Sequence, residues 1–409
     1  MKKFTIPIIY RSPLIAAIKN KRKQEDKMKK DFSPTLLDLG NLKIYVARHF
    51  GFCYGVENAI EIAFRTIEEN PGKRIFLLSE MIHNPQVNAD LIERGVQFLQ
   101  DTYGKQLVAF DRLTADDVVV IPAFGTTLEV EEKLRRIGIP IRNYDTTCPF
   151  VEKVWNRAEQ IAGKKYTIIV HGKPTHEETR ATFSRAEAAG PAIIVNDMEE
   201  AVLLSKFITG EKGPEDFHAL FGGKISEGFD MCKDLEQVGV VNQTTMLAAD
   251  TQAIADFFRQ VMTQKYGLTS TEVETRFADT RDTLCYATND NQSAVTTLLE
   301  TDADLAIVIG GYNSSNTSHL VELCEKKLPT YFINDDENIL SATAIQHYNL
   351  HRKALITTPD FLPPISPVRI LLTSGASCPD ALVERLINKL GGLIDAGYDP
   401  GALVKEFLG

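Results

Sequence analysis

The sequence lacks an apolar run approaching the roughly 18 residues that cross a bilayer. Its first residues contain no signal-peptide core followed by a small-residue cleavage site. Positive charge is also in short supply, because 55 acidic residues outnumber 45 basic ones and give the 409 residues a net charge of −10. Such a balance argues against a nucleic-acid or anionic-membrane binder. We therefore expect a cytoplasmic protein without a nucleic-acid or membrane partner.

Cysteine is scarce, and no pair has the C-x-x-C spacing of a zinc ribbon or a thioredoxin-type site. The six cysteines are Cys53, Cys148, Cys232, Cys285, Cys324 and Cys378. A metal site assembled from distant cysteines stays open. No G-x-G-x-x-G fingerprint is present either, which argues against a built-in nicotinamide or flavin site.

What the sequence does contain is a regular alternation of short apolar runs with longer amphipathic stretches. The apolar runs are 75–78, 118–121, 166–170, 192–195, 305–309 and 368–372. They are continuous rather than alternating in polarity, as is typical of parallel strands covered on both faces by helices. Because helical spacing lies between them, for example over 131–137 and 149–162, the sequence predicts an α/β fold.

Two segments interrupt this rhythm. The ordered part is expected to begin near Lys43, with the first forty residues as an appendage whose basic run, 19–30, forms a solvated helix face. A stretch rich in glycine and charge, about 206–236, is interpreted as an insertion that contains Cys232. We assign this cysteine no role.

Three cysteines repeat one arrangement, each after a strand and before a helical stretch. Cys148 and Cys285 share the pattern Asp-Thr-x-Cys, and Cys53 lies in Phe-Cys-Tyr-Gly. Pro149 suits the first position of a helix, so Cys148 is predicted at the cap, where the helix dipole favours a thiolate.

A polar cluster follows each of these cysteines at a common offset. His83 comes 30 residues after Cys53, His176 comes 28 after Cys148, and Ser314 comes 29 after Cys285. Each unit then ends in a strand and a small-residue turn, at 122–127, 242–245 and 373–377. Since ligands bind at the carboxyl ends of parallel strands, these clusters are expected to line a site.

This repeat predicts three pseudo-symmetric α/β lobes with small, mostly parallel sheets. The predicted boundaries are 1–42 for the extension, 43–145 for the lobe with Cys53, 146–281 for the lobe with Cys148, 282–372 for the lobe with Cys285, and 373–409 for a C-terminal segment that returns to the centre. Three cysteine ligands cannot close a tetrahedral zinc site, but they leave one iron of a cubane cluster open.

Seven motifs in order give the chain a specific resemblance to the 4-hydroxy-3-methylbut-2-enyl diphosphate reductases. They are Gly51–Val56, Ile82–Asn84, Asp145–Pro149, His176–Thr179, Asn242–Thr245, Asn313–Asn316 and Ser374–Asp380. The extension, the insertion and the sequence Pro-Ala-Phe-Gly at 122–125 are similar to the plant and cyanobacterial branch. The start is poor in arginine and serine for a transit peptide, so a bacterial source is favoured.

The resemblance implies a three-lobed α/β protein around one [4Fe–4S] cluster held by Cys53, Cys148 and Cys285. It implies reductive removal of an allylic hydroxyl to give isopentenyl and dimethylallyl diphosphate, with electrons from a ferredoxin or flavodoxin. Glu178 is implied as the proton donor, with Thr244 beside it near the substrate. The residues implied to hold the diphosphate substrate are His83, His176, Ser314, Ser315, Asn316 and Ser377.

One residue departs from the family pattern. Better-studied bacterial members have a histidine at the position of Phe124, and that histidine helps to bind the diphosphate. One hydrogen-bond donor is therefore missing here, and His171 or Lys173 are candidates to replace it.

Two other functions stay open on the residues alone. The three cysteines could hold a labile cluster in a non-catalytic redox or metal sensor, and the small-residue turns could serve a metal-free α/β phosphotransferase. Cys324 and Cys378 are interpreted as buried structural residues.

Overall fold

The computed structural model describes residues 4–28, 30–278, 283, 285–394 and 397–408. In these residues the helices are α1 (Pro13–Glu25), α2 (Tyr54–Glu69), α3 (Pro85–Glu93), α4 (Leu128–Ile137), α5 (Pro149–Gly163), α6 (Glu177–Ala189), α7 (Met198–Ile208), α8 (Pro214–Phe221), α9 (Met231–Asp234), α10 (Ala248–Tyr266), α11 (Tyr286–Leu298), α12 (Ser315–Glu325), α13 (Asp380–Ile394) and α14 (Pro400–Leu408). The strands are β1 (Thr35–Asp38), β2 (Leu42–Val46), β3 (Ile75–Leu77), β4 (Gln97–Phe98), β5 (Val118–Val120), β6 (Thr167–His171), β7 (Ala192–Val195), β8 (Val238–Asn242), β9 (Phe277–Ala278), β10 (Leu305–Ile309), β11 (Thr330–Ile333), β12 (Ile339–Ser341), β13 (Ala344–Asn349), β14 (Ala354–Pro359) and β15 (Val368–Ser374).

The chain forms two compact units. Unit 1 holds the residues up to Glu61, Ile82–Ala89, and the residues from Tyr286 onward. Unit 2 holds Ile62–Met81 and Asp90–Cys285.

Unit 1 is built on a sheet with the strand order β1-β2-β15-β10-β11. All neighbours are parallel except β1, which pairs antiparallel with β2 at the edge. Ile44 lies opposite Ile370, and Leu372 lies opposite Ile307, so apolar side chains of three strands meet in one core. All of β10 is buried, as a continuous apolar run predicts.

A second sheet of unit 1, β12-β13-β14, is antiparallel and was not predicted. Its strands are largely half-exposed, and β14 is exposed or intermediate throughout. The sequence there has no apolar run, so it did not stand out from the surrounding loops.

Unit 2 contains two further sheets, with the orders β4-β3-β5 and β7-β6-β8-β9, and every neighbouring pair is parallel. The apolar runs predicted as strands are strands in the structure, and the stretches at 131–137 and 149–162 lie in α4 and α5. The predicted α/β class is confirmed. None of the described helices is long and apolar enough to span a membrane.

The prediction that the first forty residues are an appendage is wrong. Helix α1 buries Leu14, Ile15 and Ile18 in the same core as β2, β10 and β15, and β1 adds an edge strand. The helix starts at a capping Ser12, whose side chain accepts from Ile15 N, followed by a proline in the first turn. Its apolar residues are few and adjoin a run of lysines, which hid the buried face.

The insertion also contributes to a core, because Phe217 and Phe221 of α8 pack on Phe207 of α7. The lobe boundaries at 145 and 372 stay predictions, and the boundary between 281 and 282 lies outside the described residues. Strand β2, which precedes Cys53, pairs with β15 rather than with a strand of its own predicted lobe.

Candidate functional site

In unit 1 the predicted residues gather where three parallel strands end. The loops that follow β2, β10 and β15 carry Cys53, Ser314 and Ser377, respectively. The backbone N–H of Cys53 donates to the carbonyl oxygen of Ala376 at 3.1 Å. Two of the three loops are therefore in direct contact at Cys53.

His83 and Asn316 join the same group. Ser377 Oγ donates to the carbonyl oxygen of His83 at 3.1 Å, and Ala376 N donates to Asn316 Oδ1 at 2.9 Å. A Cβ added at Gly311 would lie 2.3 Å from the His83 carbonyl oxygen, so the loop after β10 needs a glycine to approach so closely. Unit 1 thus brings Cys53, His83, Asn316 and Ser377 together.

The amino terminus of α12 presents donors to this group. Ser314 caps the helix, because its Oγ accepts from Thr317 N at 3.2 Å. Ser315 and Asn316 follow in the first turn, and each is 4% exposed. Ser315 Oγ and Asn316 Nδ2 are buried and have no hydrogen-bond partner among the described residues. Unsatisfied buried donors at a helix amino terminus are suited to an anionic ligand.

In unit 2, Cys148 is the residue before α5, with Pro149 in the first turn as predicted. Its N–H donates to the carbonyl oxygen of Ala123, in the turn after β5, at 3.0 Å. Burial raises the pKa of the Cys148 thiol to about 12, and the nearby Cys285 and Glu178 charges act in the same direction. The backbone amides of Phe150 and Val151 lower this pKa, as the cap position predicts, but burial outweighs them.

Glu178 and Thr244 form a buried pair at the carboxyl ends of the neighbouring strands β6 and β8. One carboxylate oxygen accepts from Thr244 N, and the other accepts from Thr244 Oγ1 at 3.0 Å. Glu178 is 1% exposed. The two contacts fix the direction of the carboxyl group, which a proton donor requires.

His176 caps α6, since its Nδ1 accepts from Glu178 N at 3.1 Å. The ring of Phe124 packs edge-on against the His176 imidazole, with centroids 5.5 Å apart. The residue that departs from the family pattern thus contacts one of the predicted substrate-binding residues. His171, named as a replacement donor, is the last residue of β6, and its Nδ1 is 2.9 Å from Thr251 Oγ1.

The donor chemistry in unit 2 fits an iron–sulfur group. Cys148 and Cys285 lie near enough for their charges to interact, and soft thiolate ligands are those that iron–sulfur clusters use. Among the described residues, no three of His, Cys, Asp and Glu lie close enough to hold one metal ion. In a cluster each cysteine binds a separate iron, so its sulfur atoms need not meet around one ion.

The other cysteines agree with their predicted roles. Cys324 and Cys378 are fully buried in the core of unit 1, and burial raises the pKa of each thiol to about 12. Cys232 is exposed. Two residues that support the site were not predicted. Gln243 Oε1 accepts from Thr179 Oγ1 and Lys173 N, and Thr317 packs on the loop after β15. In the sequence, only the glycines that face Thr317, Gly310 and Gly375, indicate this close approach.

These two groups of side chains combine cysteines with buried hydrogen-bond donors, a combination that suits a protein that binds a metal cluster and an anion. Comparison with known proteins identifies the family. A family model described as LytB protein matches residues 44–391. A 4-hydroxy-3-methylbut-2-enyl diphosphate reductase of the cyanobacterium Picosynechococcus sp. (strain ATCC 27264 / PCC 7002 / PR-6) is 41% identical over 355 residues, covering 87% of this chain and 85% of the relative. The chain therefore belongs to the LytB protein family.

Solved structures agree in fold. The chain resembles a structure of (E)-4-hydroxy-3-methyl-but-2-enyl diphosphate reductase, the terminal enzyme of the non-mevalonate pathway, with 25% identity, a TM-score of 0.50 and coverage of 85% of this chain and 99% of that one. A reductase from Plasmodium falciparum shares the fold with a TM-score of 0.61 at 20% identity, covering 90% and 98% of the two chains. The resemblance stated from the seven motifs is confirmed.

Proposed function

We propose that this chain reduces 4-hydroxy-3-methylbut-2-enyl diphosphate to isopentenyl and dimethylallyl diphosphate, as the last step of the non-mevalonate isoprenoid pathway. The allylic C–O bond breaks, two electrons and two protons are taken up, and water leaves. The chain is an oxidoreductase, as its curated relatives are. The observation that carries the proposal is the buried Glu178–Thr244 pair in a chain of this family.

We assign Cys53, Cys148 and Cys285 as the ligands of one [4Fe–4S] cluster. When bound, such a cluster supplies electrons and one Lewis-acidic iron that has no protein ligand. Cysteine thiolates are the soft ligands that such clusters use, and Cys148 and Cys285 lie near enough for their charges to interact.

The diphosphate is assigned to the donors at the start of α12, with His83, His176 and Ser377. Ser315 Oγ and Asn316 Nδ2 would gain the partners that they lack, and the helix dipole favours the anion. Neutral donors of this kind bind a diphosphate in an acidic protein without a cage of lysines.

Glu178 is assigned as the proton donor, and Thr244 as the residue that orients it and contacts the substrate. The external electron source is a ferredoxin or flavodoxin. The cytoplasmic location and the boundaries of the three lobes stay predictions.

The test is anaerobic purification followed by addition of the diphosphate substrate and dithionite-reduced methyl viologen. The proposal predicts a brown protein that forms both products, with two viologen radicals oxidised for each molecule of water released. A brown protein without turnover would favour a cluster-based sensor. A protein without iron or sulfide that transfers phosphate would favour the phosphotransferase.

A further inference from the structure

A cavity of about 270 Å³ in unit 1 lies against the loop that carries Cys53. Its lining includes Cys53 itself, the aromatic residues Tyr54 and Tyr286, and the cations Lys19 and Lys23 of α1. Cys53 is partly exposed, whereas Cys285 is buried. The cavity thus joins a proposed cluster ligand to the protein surface.

Helix α1 is fixed over this loop by several contacts. Its apolar face is part of the core of unit 1, Lys19 Nζ pairs with Asp380 at 2.7 Å, and the Phe4 ring packs on Tyr54 with centroids 4.9 Å apart. The surface that α1 presents is therefore held in place beside Cys53.

The net charge of residues 1–42, which include α1, is opposite in sign to that of the rest of the chain. Ten of the 45 bases and four of the 55 acids lie in residues 1–42, so this segment carries +6 and the remaining residues carry −16. Lys23, Lys27 and Lys30 are exposed, and none of them makes an ion pair with a described residue. Two acids, Glu57 and Asp290, also line the cavity. An acidic partner is repelled by most of the molecule and attracted to this face.

Apolar and aromatic side chains are exposed on residues 1–42 and at the cavity. Ile8 is 83% exposed, Met28 is 73% exposed, and Tyr286 at the cavity is 40% exposed. Aromatic and apolar groups surrounded by charged ones are typical of protein–protein contact surfaces.

We propose that this face, made of α1, the residues that precede it, Lys27, Met28 and Lys30 that follow it, and the rim of the cavity at Tyr54 and Tyr286, is the docking surface for an acidic one-electron carrier protein. The inference rests on the proposed function, which consumes two electrons from outside the chain. A carrier bound here would lie next to a ligand of the cluster. Interfaces between electron carriers and their partners bury little area and depend on complementary charge. A mixed basic and apolar face matches this description.

The test measures binding and turnover of the anaerobically purified protein with an acidic [2Fe–2S] ferredoxin. The double variant Lys23→Glu/Lys27→Glu is compared with Lys73→Glu/Lys206→Glu, which makes the same change in net charge at exposed residues of unit 2. Affinity is measured by calorimetry at 50 and 200 mM salt, and turnover is measured with the ferredoxin and, separately, with reduced methyl viologen.

We expect Lys23→Glu/Lys27→Glu to bind the ferredoxin about tenfold or more weakly at 50 mM salt, with less salt dependence, while the unit 2 variant binds within twofold of the wild type. Turnover with the ferredoxin falls in parallel, and turnover with viologen stays unchanged. Equal affinities of the two variants would overturn the docking surface. Binding of RNA or anionic vesicles, without binding of the ferredoxin, would also overturn the docking surface. Absence of viologen turnover in the wild type would instead overturn the proposed function. The binding measurement does not depend on turnover, so the two failures can be distinguished.

Discussion

At the scale of single residues, the clearest indication of a ligand is a buried polar atom without a partner. Burying a hydroxyl or amide without a hydrogen bond costs about 1–3 kcal/mol, so such atoms are uncommon in folded proteins. Two of them, Ser315 Oγ and Asn316 Nδ2, occupy adjacent residues of α12. They are the side chains that the resemblance assigns to the diphosphate.

Ser315→Ala is predicted to separate binding from stability. Because the hydroxyl has no partner in the chain, its removal should leave the free energy of unfolding unchanged or raise it slightly, while the KM for the diphosphate rises about tenfold. Ser318→Ala is the matched control, since Ser318 Oγ donates to the carbonyl oxygen of Ser314 at 3.0 Å. The control should lose about 1 kcal/mol of stability with a much smaller change in KM. Denaturant unfolding and steady-state kinetics measure both, and a Ser315→Ala variant with normal KM would remove this residue from the site.

Glu178→Gln is predicted to keep the iron and sulfide content and to lose turnover about 100-fold or more, which is the contribution of a positioned general acid. The amide has nearly the shape of the carboxyl group and still accepts one bond from Thr244, so the fold should be unaffected. Glu177→Gln, at the next residue of α6, serves as the control and should stay near wild-type activity. Near-normal turnover of Glu178→Gln would take it out of the proton path.

Residue identities could be predicted further than residue contacts. The common offset from each cysteine singled out His83, His176 and Ser314, and the structure places them at the carboxyl ends of strands as expected. The contact between Phe124 and His176 could not be predicted, because the two residues are far apart in sequence and no periodic pattern relates them. The high pKa of Cys148 was also missed, since burial depends on the whole fold.

At the scale of elements, the site depends on the close approach of α12 to the loop after β15. A Cβ at Gly375 would lie 1.9 Å from Thr317 Oγ1, and that hydroxyl donates to Ser314 Oγ at 2.9 Å. A side chain at 375 would therefore push against Thr317 in the first turn of α12, where the donors assigned to the diphosphate lie.

Gly375→Ala is accordingly predicted to raise the KM for the diphosphate by about one to two orders of magnitude, because a shift of about 1 Å in a positioning group has effects of this size. Gly223→Ala is the control: a Cβ there meets nothing within 4 Å. Steady-state kinetics with reduced viologen compare the two variants. Equal KM values would show that the packing at Gly375 does not position the donors.

Elements with strong apolar patterns were predictable, and those with weak patterns were not. The six buried strands and α5 followed from continuous runs and helical spacing. The burial of α1 was missed because its lysine-rich sequence, predicted as a solvated helix face, hides a narrow buried face. Strands β12–β14 were missed because half-exposed strands lack a continuous apolar run.

At the scale of the whole molecule, the threefold repeat of cysteine and polar cluster is a feature of the sequence that the sheets only partly follow. The strand before Cys53, β2, belongs to the sheet of β10 and β15. The next strands of the same predicted lobe, β3 to β5, form a different sheet. Sequence order could not reveal this pairing, because parallel strands pair with distant partners.

The account depends most on a cluster in which three distant cysteines leave one iron without a protein ligand. Its most direct test is the Mössbauer spectrum of the anaerobic, ⁵⁷Fe-labelled protein with and without the diphosphate substrate. Because one iron of four would lack a cysteine ligand, the account predicts that about a quarter of the iron absorption changes when the substrate binds and the rest does not. A spectrum in which all the iron responds alike, or none responds, would contradict it.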